Sequence, residues 1–417
     1  MYKQYVLKNG LTVILAPRKE TQTVTALLLV KAGSRYEDKD VRGISHFVEH
    51  MMFKGTKKRP STFIISQELD SVGADYNAFT SKDHTGYYVK VNAGKKRLAL
   101  ELLSDMMFSS VFSAEELKRE KGVIMEEMNM YQDNPIMYVE DLVEELTFSG
   151  NKLGELIIGT KKTVGSINRE KILKYWQYFY QPSNMVLGLA GNFQKTDINL
   201  VKKYFEKADN RRNKISFTPF LSSQRSAQNK ILYKKTDQVQ LAMSWSAYGY
   251  RDVDIYPAYL LATILGGTMS SRLFIEIREK RGLAYYIKAT NNVYEDTGCF
   301  VVQAGLDKKR WREAVGLVWQ EMEKIKKYGV TDEELERAKE FLRGKLAIDL
   351  EDSAHLADWY AKQKLLSGKI MEPKEKLQKI LKVKASDVKR IAQNIFVKNQ
   401  LNLAVIGEVK KVEKNII

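Results

Sequence analysis

The sequence repeats itself, and that repeat constrains the fold more than anything else in it. DHTGYYV at 83–89 returns as EDTGCFV at 295–301, an offset of 212, and Gly55-Thr56 returns as Gly267-Thr268 at the same offset. SAEELKR at 113–119 matches TDEELER at 331–337 (offset 218), and MVLGLAGN at 185–192 matches LNLAVIGE at 401–408 (offset 216). Four matches in one order, with offsets drifting by only six residues, imply an internal duplication. In both copies, alternating stretches such as TVTALLLVKAG and DHTGYYVKVNAG read as strands. ALELLSDMMFSSV and SAEELKREKGVIMEEMNMY have helical spacing. The expected fold class is therefore α+β, with two homologous halves, each a mixed or antiparallel sheet packed with helices. The halves are expected at 1–208 and 230–417, joined by a polar linker over 209–229 that lacks periodicity.

Composition bounds the rest. A chain of 417 residues with 44% hydrophobic and 29% charged residues is neither disordered nor a disulfide scaffold. Its one cysteine, Cys299, cannot form a bridge within the chain, which fits a reducing compartment. The N-terminus reads as strand, Asn-Gly turn and strand with no apolar signal region, so a cytoplasmic location is expected. The longest uncharged stretch, Ile255 to Ser271, contains Pro257 and Gly266-Gly267 and falls short of a membrane span. The net charge of +17 is spread over scattered basic clusters without interleaved aromatics, which points to a solvated lysine-rich exterior and not to a nucleic-acid surface. His84 is read as a structural residue in mid-strand, and Gly266-Gly267-Thr268 as a turn.

Two of only four histidines lie in His46-Phe47-Val48-Glu49-His50, within a segment of helical apolar spacing. On a helix, positions 46, 49 and 50 fall within an arc of about 100°, so both imidazoles and the carboxylate face one space. Two His at i and i+4 can chelate one metal ion, and the adjacent Glu can face a water bound to that ion. This is the H-E-x-x-H zinc helix in reversed order. A catalytic zinc needs a third protein ligand, and the acidic segment Glu115 to Glu127 offers candidates. Glu120 and Glu127, seven apart, share one stripe, whereas Glu126 is turned about 100° away.

The second copy acts as an internal control. His46, Glu49 and His50 correspond to Ala258, Leu261 and Ala262, and Glu120 and Glu127 correspond to Ala338 and Lys345. All five polar residues are replaced together, as one metal site per chain predicts.

HFVEH with Glu127 following 77 residues after His50, and Glu120 seven before that, resembles the inverted-motif zinc peptidases of the pitrilysin and insulinase superfamily. Chain length, the two homologous halves and SSRLFIEIREKRGLAY at 270–285 are most similar to the branch containing the β-subunit of mitochondrial processing peptidase and its bacterial relatives. The resemblance implies that His46, His50 and Glu127 bind one Zn2+ per chain, that Glu49 is the general base, and that Glu120 orients a ligand. It further implies that Arg278 and Tyr285 reach the substrate, and that Asn77, Ala78, Phe79 and Thr80 form a strand that pairs with substrate backbone. The function it implies is a zinc-dependent endopeptidase, acting on extended peptides in a clamshell-like chamber built by a homodimer. The alternative is a catalytically inactive peptide-binding or assembly subunit of the same fold.

Overall fold

The computed structural model describes residues 2–211 and 213–411. They form two compact units, the first of described residues within 2–128, 155–217 and 346–372, the second of those within 129–154, 218–345 and 373–411.

In the first unit, strands β1 (Lys3–Val6), β2 (Thr12–Pro17), β3 (Thr23–Val30), β4 (Asp75–Thr80), β5 (Thr85–Asn92) and β6 (Met185–Gly191) make one sheet in the order β1-β2-β6-β3-β5-β4. β2 and β6 run parallel, and the other pairs are antiparallel. In the second unit, β7 (Gln228–Tyr233), β8 (Gln238–Ala247), β9 (Ala284–Val293), β10 (Gly298–Asp307) and β11 (Asn402–Gly407) follow the order β7-β11-β8-β10-β9. Here too one pair, β7 with β11, is parallel and the rest are antiparallel. The five strands repeat the order of β2, β6, β3, β5 and β4, so the duplication is a duplication of topology, and the expected α+β architecture with two homologous halves is the one observed.

Both faces of each sheet are covered, which is why β3, β6 and β10 read as largely apolar runs. In the first sheet Val13, Leu15, Ala26, Leu28 and Leu187 face a core shared with helices such as Ile44–Met52 and Lys96–Ser109. The alternate residues Ile14, Leu27, Leu29 and Val186 face the helix Ser353–Ser367. That helix passes close over Gly188 of β6, where a Cβ would lie 2.9 Å from the Ala357 carbonyl oxygen. In the second sheet Leu241, Met243 and Phe300 face one core, while Ala242, Val301 and Ile406 face the helix Pro135–Thr147.

The compact units thus depart from the expected partition at 208 and 230. Residues 129–154 complete the second unit, and 346–372 complete the first. The two crossing helices are equivalents in the duplication, so the copies exchange the same element. Two local readings also change. His84 precedes β5 instead of sitting in mid-strand, and is buried. Gly266-Gly267 closes a wide helical turn, Thr263–Gly267, rather than forming a free turn, and a Cβ on Gly266 would lie 2.5 Å from the Ala289 amide nitrogen of β9. Among the described residues no helix is long and apolar enough to cross a membrane.

Candidate metal centre

The helix Ile44–Met52 starts at Gly43, whose φ of +89° and close approach to the Ile158 carbonyl oxygen, 2.6 Å from a would-be Cβ, call for glycine. Its first-turn amides are capped by the buried Glu37, which accepts from Gly43 N at 2.7 Å and Ser45 N at 2.8 Å. Ile44, Phe47, Val48, Met51 and Met52 anchor one side of this helix in the core. His46, Glu49 and His50 are left on the half-buried side. On the helix Ala114–Asp133 the buried stripe is Leu117, Glu120, Ile124 and Met128, so one carboxylate sits among apolar anchors, with Glu127 beside the stripe.

The two helices bring His46, His50 and Glu127 together with donor atoms all within 4.8 Å of one another. The Nε2 atoms of His46 and His50 lie 3.3 Å apart, and Glu127 Oε2 lies 3.7 and 3.5 Å from them. These separations match the edges of a tetrahedron with metal–ligand distances of about 2.0–2.2 Å. Glu127 Oε2 is shielded from solvent and has no hydrogen-bond partner, a costly state that a cation would relieve. The donor set and its spacing therefore fit zinc. Among the described residues it is the one cluster of three such donors.

The surroundings prepare the donors. Glu120 Oε2 lies 3.0 Å from His50 Nδ1, and since a carboxylate only accepts, Nδ1 carries the proton and Nε2 keeps its lone pair for the centre. Glu120 Oε1 pairs with Lys54 Nζ at 2.6 Å. Burial alone would raise the Glu120 pKa, but hydrogen bonds from His50 and Lys54 hold it below the usual carboxylate value. Burial likewise opposes a charge on His50, yet the hydrogen bond to Glu120 and the nearby carboxylates of Glu127 and Glu49 outweigh it and push His50 up to about 9 without metal. His46 is held well below the ordinary imidazole value by burial first and by His50 second. Glu49 is raised by burial, with the Thr80 hydroxyl pulling it partly back. Its Oε2 accepts a hydrogen bond from Thr80 Oγ1, at the end of the edge strand β4.

Every metal-site residue expected from the sequence is in this cluster, together with Glu49 and Thr80. Asn77, Ala78 and Phe79 lie on β4, whose one strand partner among the described residues is β5. Arg278 and Tyr285 belong to the second unit, where Arg278 Nε donates to the Tyr285 carbonyl oxygen at 2.9 Å and the Tyr285 side chain is 75% exposed. Three roles were missed: the Glu37 cap, the Lys54 partner of Glu120, and the Thr80 hydroxyl. Lys54 carried a faint signal, being four residues beyond His50. In the second unit the corresponding Ala258, Leu261, Ala262 and Ala338 are all buried in an apolar core.

Comparison with known proteins agrees. Residues 12–161 match the family model described as insulinase (peptidase family M16), and 166–342 match the one described as the peptidase M16 inactive domain. Over 95% of its length the chain is 33% identical to a Bacillus subtilis protein named an uncharacterized zinc protease, 96% of which is covered. The chain belongs to the M16 peptidase family. A Rickettsia bellii protein also named an uncharacterized zinc protease is 34% identical, with 96% of each chain covered. Among solved structures, a Helicobacter pylori protease superposes with a TM-score of 0.90 at 26% identity, covering 98% of this chain and 99% of that one. The periplasmic protease PqqL of Escherichia coli gives 0.82 at 21% identity over 98% of this chain but 48% of its own. The inactive-domain match spans Ala258, Leu261, Ala262 and Ala338, the buried apolar counterparts of His46, Glu49, His50 and Glu120.

Proposed function

We propose that this M16 chain is a zinc-dependent endopeptidase, related to the processing peptidases, that cleaves extended peptides or unfolded segments. The observation carrying the reading is that a complete set of three metal donors and a separate carboxylate, Glu49, converge beside the end of an edge strand. A zinc ion held by His46, His50 and Glu127 would lower the pKa of a water and polarise the scissile carbonyl. Glu49, with one carboxylate oxygen held by Thr80, takes the proton of the attacking water and returns it to the leaving amine. Lys54 and Glu120 keep His50 in the tautomer that presents Nε2. An extended peptide adds to β4 along Asn77–Thr80, where main-chain hydrogen bonds hold it with little sequence preference.

Arg278 and Tyr285 are assigned to substrate on the resemblance: the guanidinium donates to a peptide carbonyl, and the phenol steadies negative charge developing at the reacting carbonyl. A homodimer enclosing one chamber is part of the same reading. The fold of this chain fills 48% of PqqL, so two copies would supply a body of similar length. One zinc per chain is expected, because the second copy of the motif is apolar.

Glu49→Gln tests the core of the reading. The variant should keep about one zinc per chain by elemental analysis and lose about 10²–10⁴-fold in peptide hydrolysis. Hydrolysis at the wild-type rate would remove Glu49 from the mechanism, and two zinc ions per chain would overturn the single site. A wild-type protein that binds peptides without cutting them, zinc-loaded, would favour the inactive-subunit alternative.

A further inference from the structure

The one hydrogen bond made by the Glu49 side chain among the described residues comes from Thr80 Oγ1. Glu49 stands on the half-buried side of the helix Ile44–Met52, and a glutamate side chain has several rotamers open to it. Thr80 is fixed far more firmly. It is the last residue of β4 and pairs with Thr85 of β5. The connection behind it is closed by Ser81 N donating to the His84 carbonyl oxygen at 2.8 Å. Strand alternation places Tyr76, Ala78 and Thr80 on the side of β4 that packs with this helix, while Asn77 and Phe79 alternate to the other side. The hydroxyl therefore reaches the carboxylate from a rigid element, and the β-branched side chain has few ways to turn away.

We propose that Thr80 is a positioning residue whose hydroxyl locks one oxygen of the Glu49 carboxylate and leaves the other free to take a proton. The inference rests on the endopeptidase reading and deepens it. The strand that would pair with the peptide also holds the base, so substrate and base are registered on one element. The position carries two separable roles, the backbone of Thr80 toward the peptide and its side chain toward Glu49.

Thr80→Val removes the donor while preserving shape and β-branching, and Thr80→Ser preserves the donor. In the zinc-loaded protein Thr80→Val should lower kcat about tenfold, a fraction of the whole contribution of a positioned base, with KM, zinc content and thermal midpoint unchanged. Thr80→Ser should recover most of the loss. In crystals of the metal-free proteins the Glu49 carboxylate should be ordered in the wild type and spread over rotamers in Thr80→Val. Wild-type kcat in Thr80→Val, equal damage in Thr80→Ser, a change confined to KM, or an ordered Glu49 in metal-free Thr80→Val would each overturn the proposal. Glu49→Gln assayed alongside separates the two readings. If it is inert while Thr80→Val is fully active, only the role of Thr80 fails; if it is fully active, the base assignment fails and this inference with it.

Discussion

Replacing Glu120 should weaken zinc binding without removing a ligand, and the structure sets the size of the effect. The carboxylate is 4% exposed and makes two contacts, to His50 Nδ1 at 3.0 Å and to Lys54 Nζ at 2.6 Å. Glu120→Ala strands both partners, leaving a half-buried imidazole N–H without an acceptor and an ammonium without its counter-ion. His50 then loses the contact that fixes both its ring orientation and its tautomer. Loss of such an outer partner typically costs about 10–100-fold in metal affinity, or about 1.4–2.7 kcal/mol. Alanine should fall near the upper end. Glu120→Gln keeps an oxygen that accepts from Nδ1–H but loses the charge facing Lys54, and should fall near tenfold. Lys54→Met, which leaves Glu120 in place, should be milder than either. Competition against a chromophoric chelator at fixed pH measures all three, and the order Ala, Gln, Met is as informative as the magnitudes. Zinc affinity within twofold of wild type in Glu120→Ala would show that the His50–Glu120–Lys54 chain does nothing for the metal, and the reasoning from tautomer and orientation would fall.

Arg278→Ala and Tyr285→Phe should each depress peptide hydrolysis, by roughly 10²-fold for loss of a donor to developing charge, with zinc content unchanged; unchanged kinetics in both would confine the chemistry to the first unit. Sedimentation combined with activity on dilution should show a dimer whose loss abolishes turnover, whereas a fully active 48.0 kDa species would refute the enclosed homodimer. A fragment ending at residue 208 should fail to fold cooperatively in a thermal melt, because it lacks the helix Ser353–Ser367 that covers Ile14, Leu27, Leu29 and Val186; addition of a 346–372 peptide should restore part of the transition, and a cooperative melt of the bare fragment would contradict the helix exchange.

What the sequence made legible was local. The arc shared by His46, Glu49 and His50 follows from 3.6 residues per turn, and the stripe shared by Glu120 and Glu127 from a spacing of seven, so neither needs knowledge of the tertiary fold. Loss of all five residues in the second copy added a comparison that one isolated motif could not supply. Lys54 and Thr80 escaped because their roles depend on approach between distant segments. Lys54 is one of 68 Lys and Arg residues, and its spacing of four from His50 does not say that it meets a glutamate on another helix. Thr80 was noted only as part of a strand, since alternation shows that 76, 78 and 80 share a face but not which helix that face meets.

The exchanged helices show the same limit at the scale of the fold. Apolar residues along a helix announce that it needs an apolar surface, and largely apolar strands such as β3 and β6 announce that their sheet needs cover on both faces. Neither signal names the partner. Two sheets of the same topology offer two nearly equivalent surfaces, so the helices Pro135–Thr147 and Ser353–Ser367 each have two plausible destinations in sequence terms, and a boundary drawn at the linker assigns each to the nearer sheet. The structure makes the other choice for both. The pairing is set by detail that periodicity averages away. Over β6 the incoming helix meets Gly188, where the space left by a missing Cβ admits the backbone of Ala357. Over the second sheet the small Ala242 and Ala404 face Val139, Leu142 and Val143. Because the exchange is reciprocal, separating the chain at residues 208 and 230 would strip the cover from both sheets at once, and the metal site would lose the sheet that holds β4 in register even though every ligand remains in the fragment.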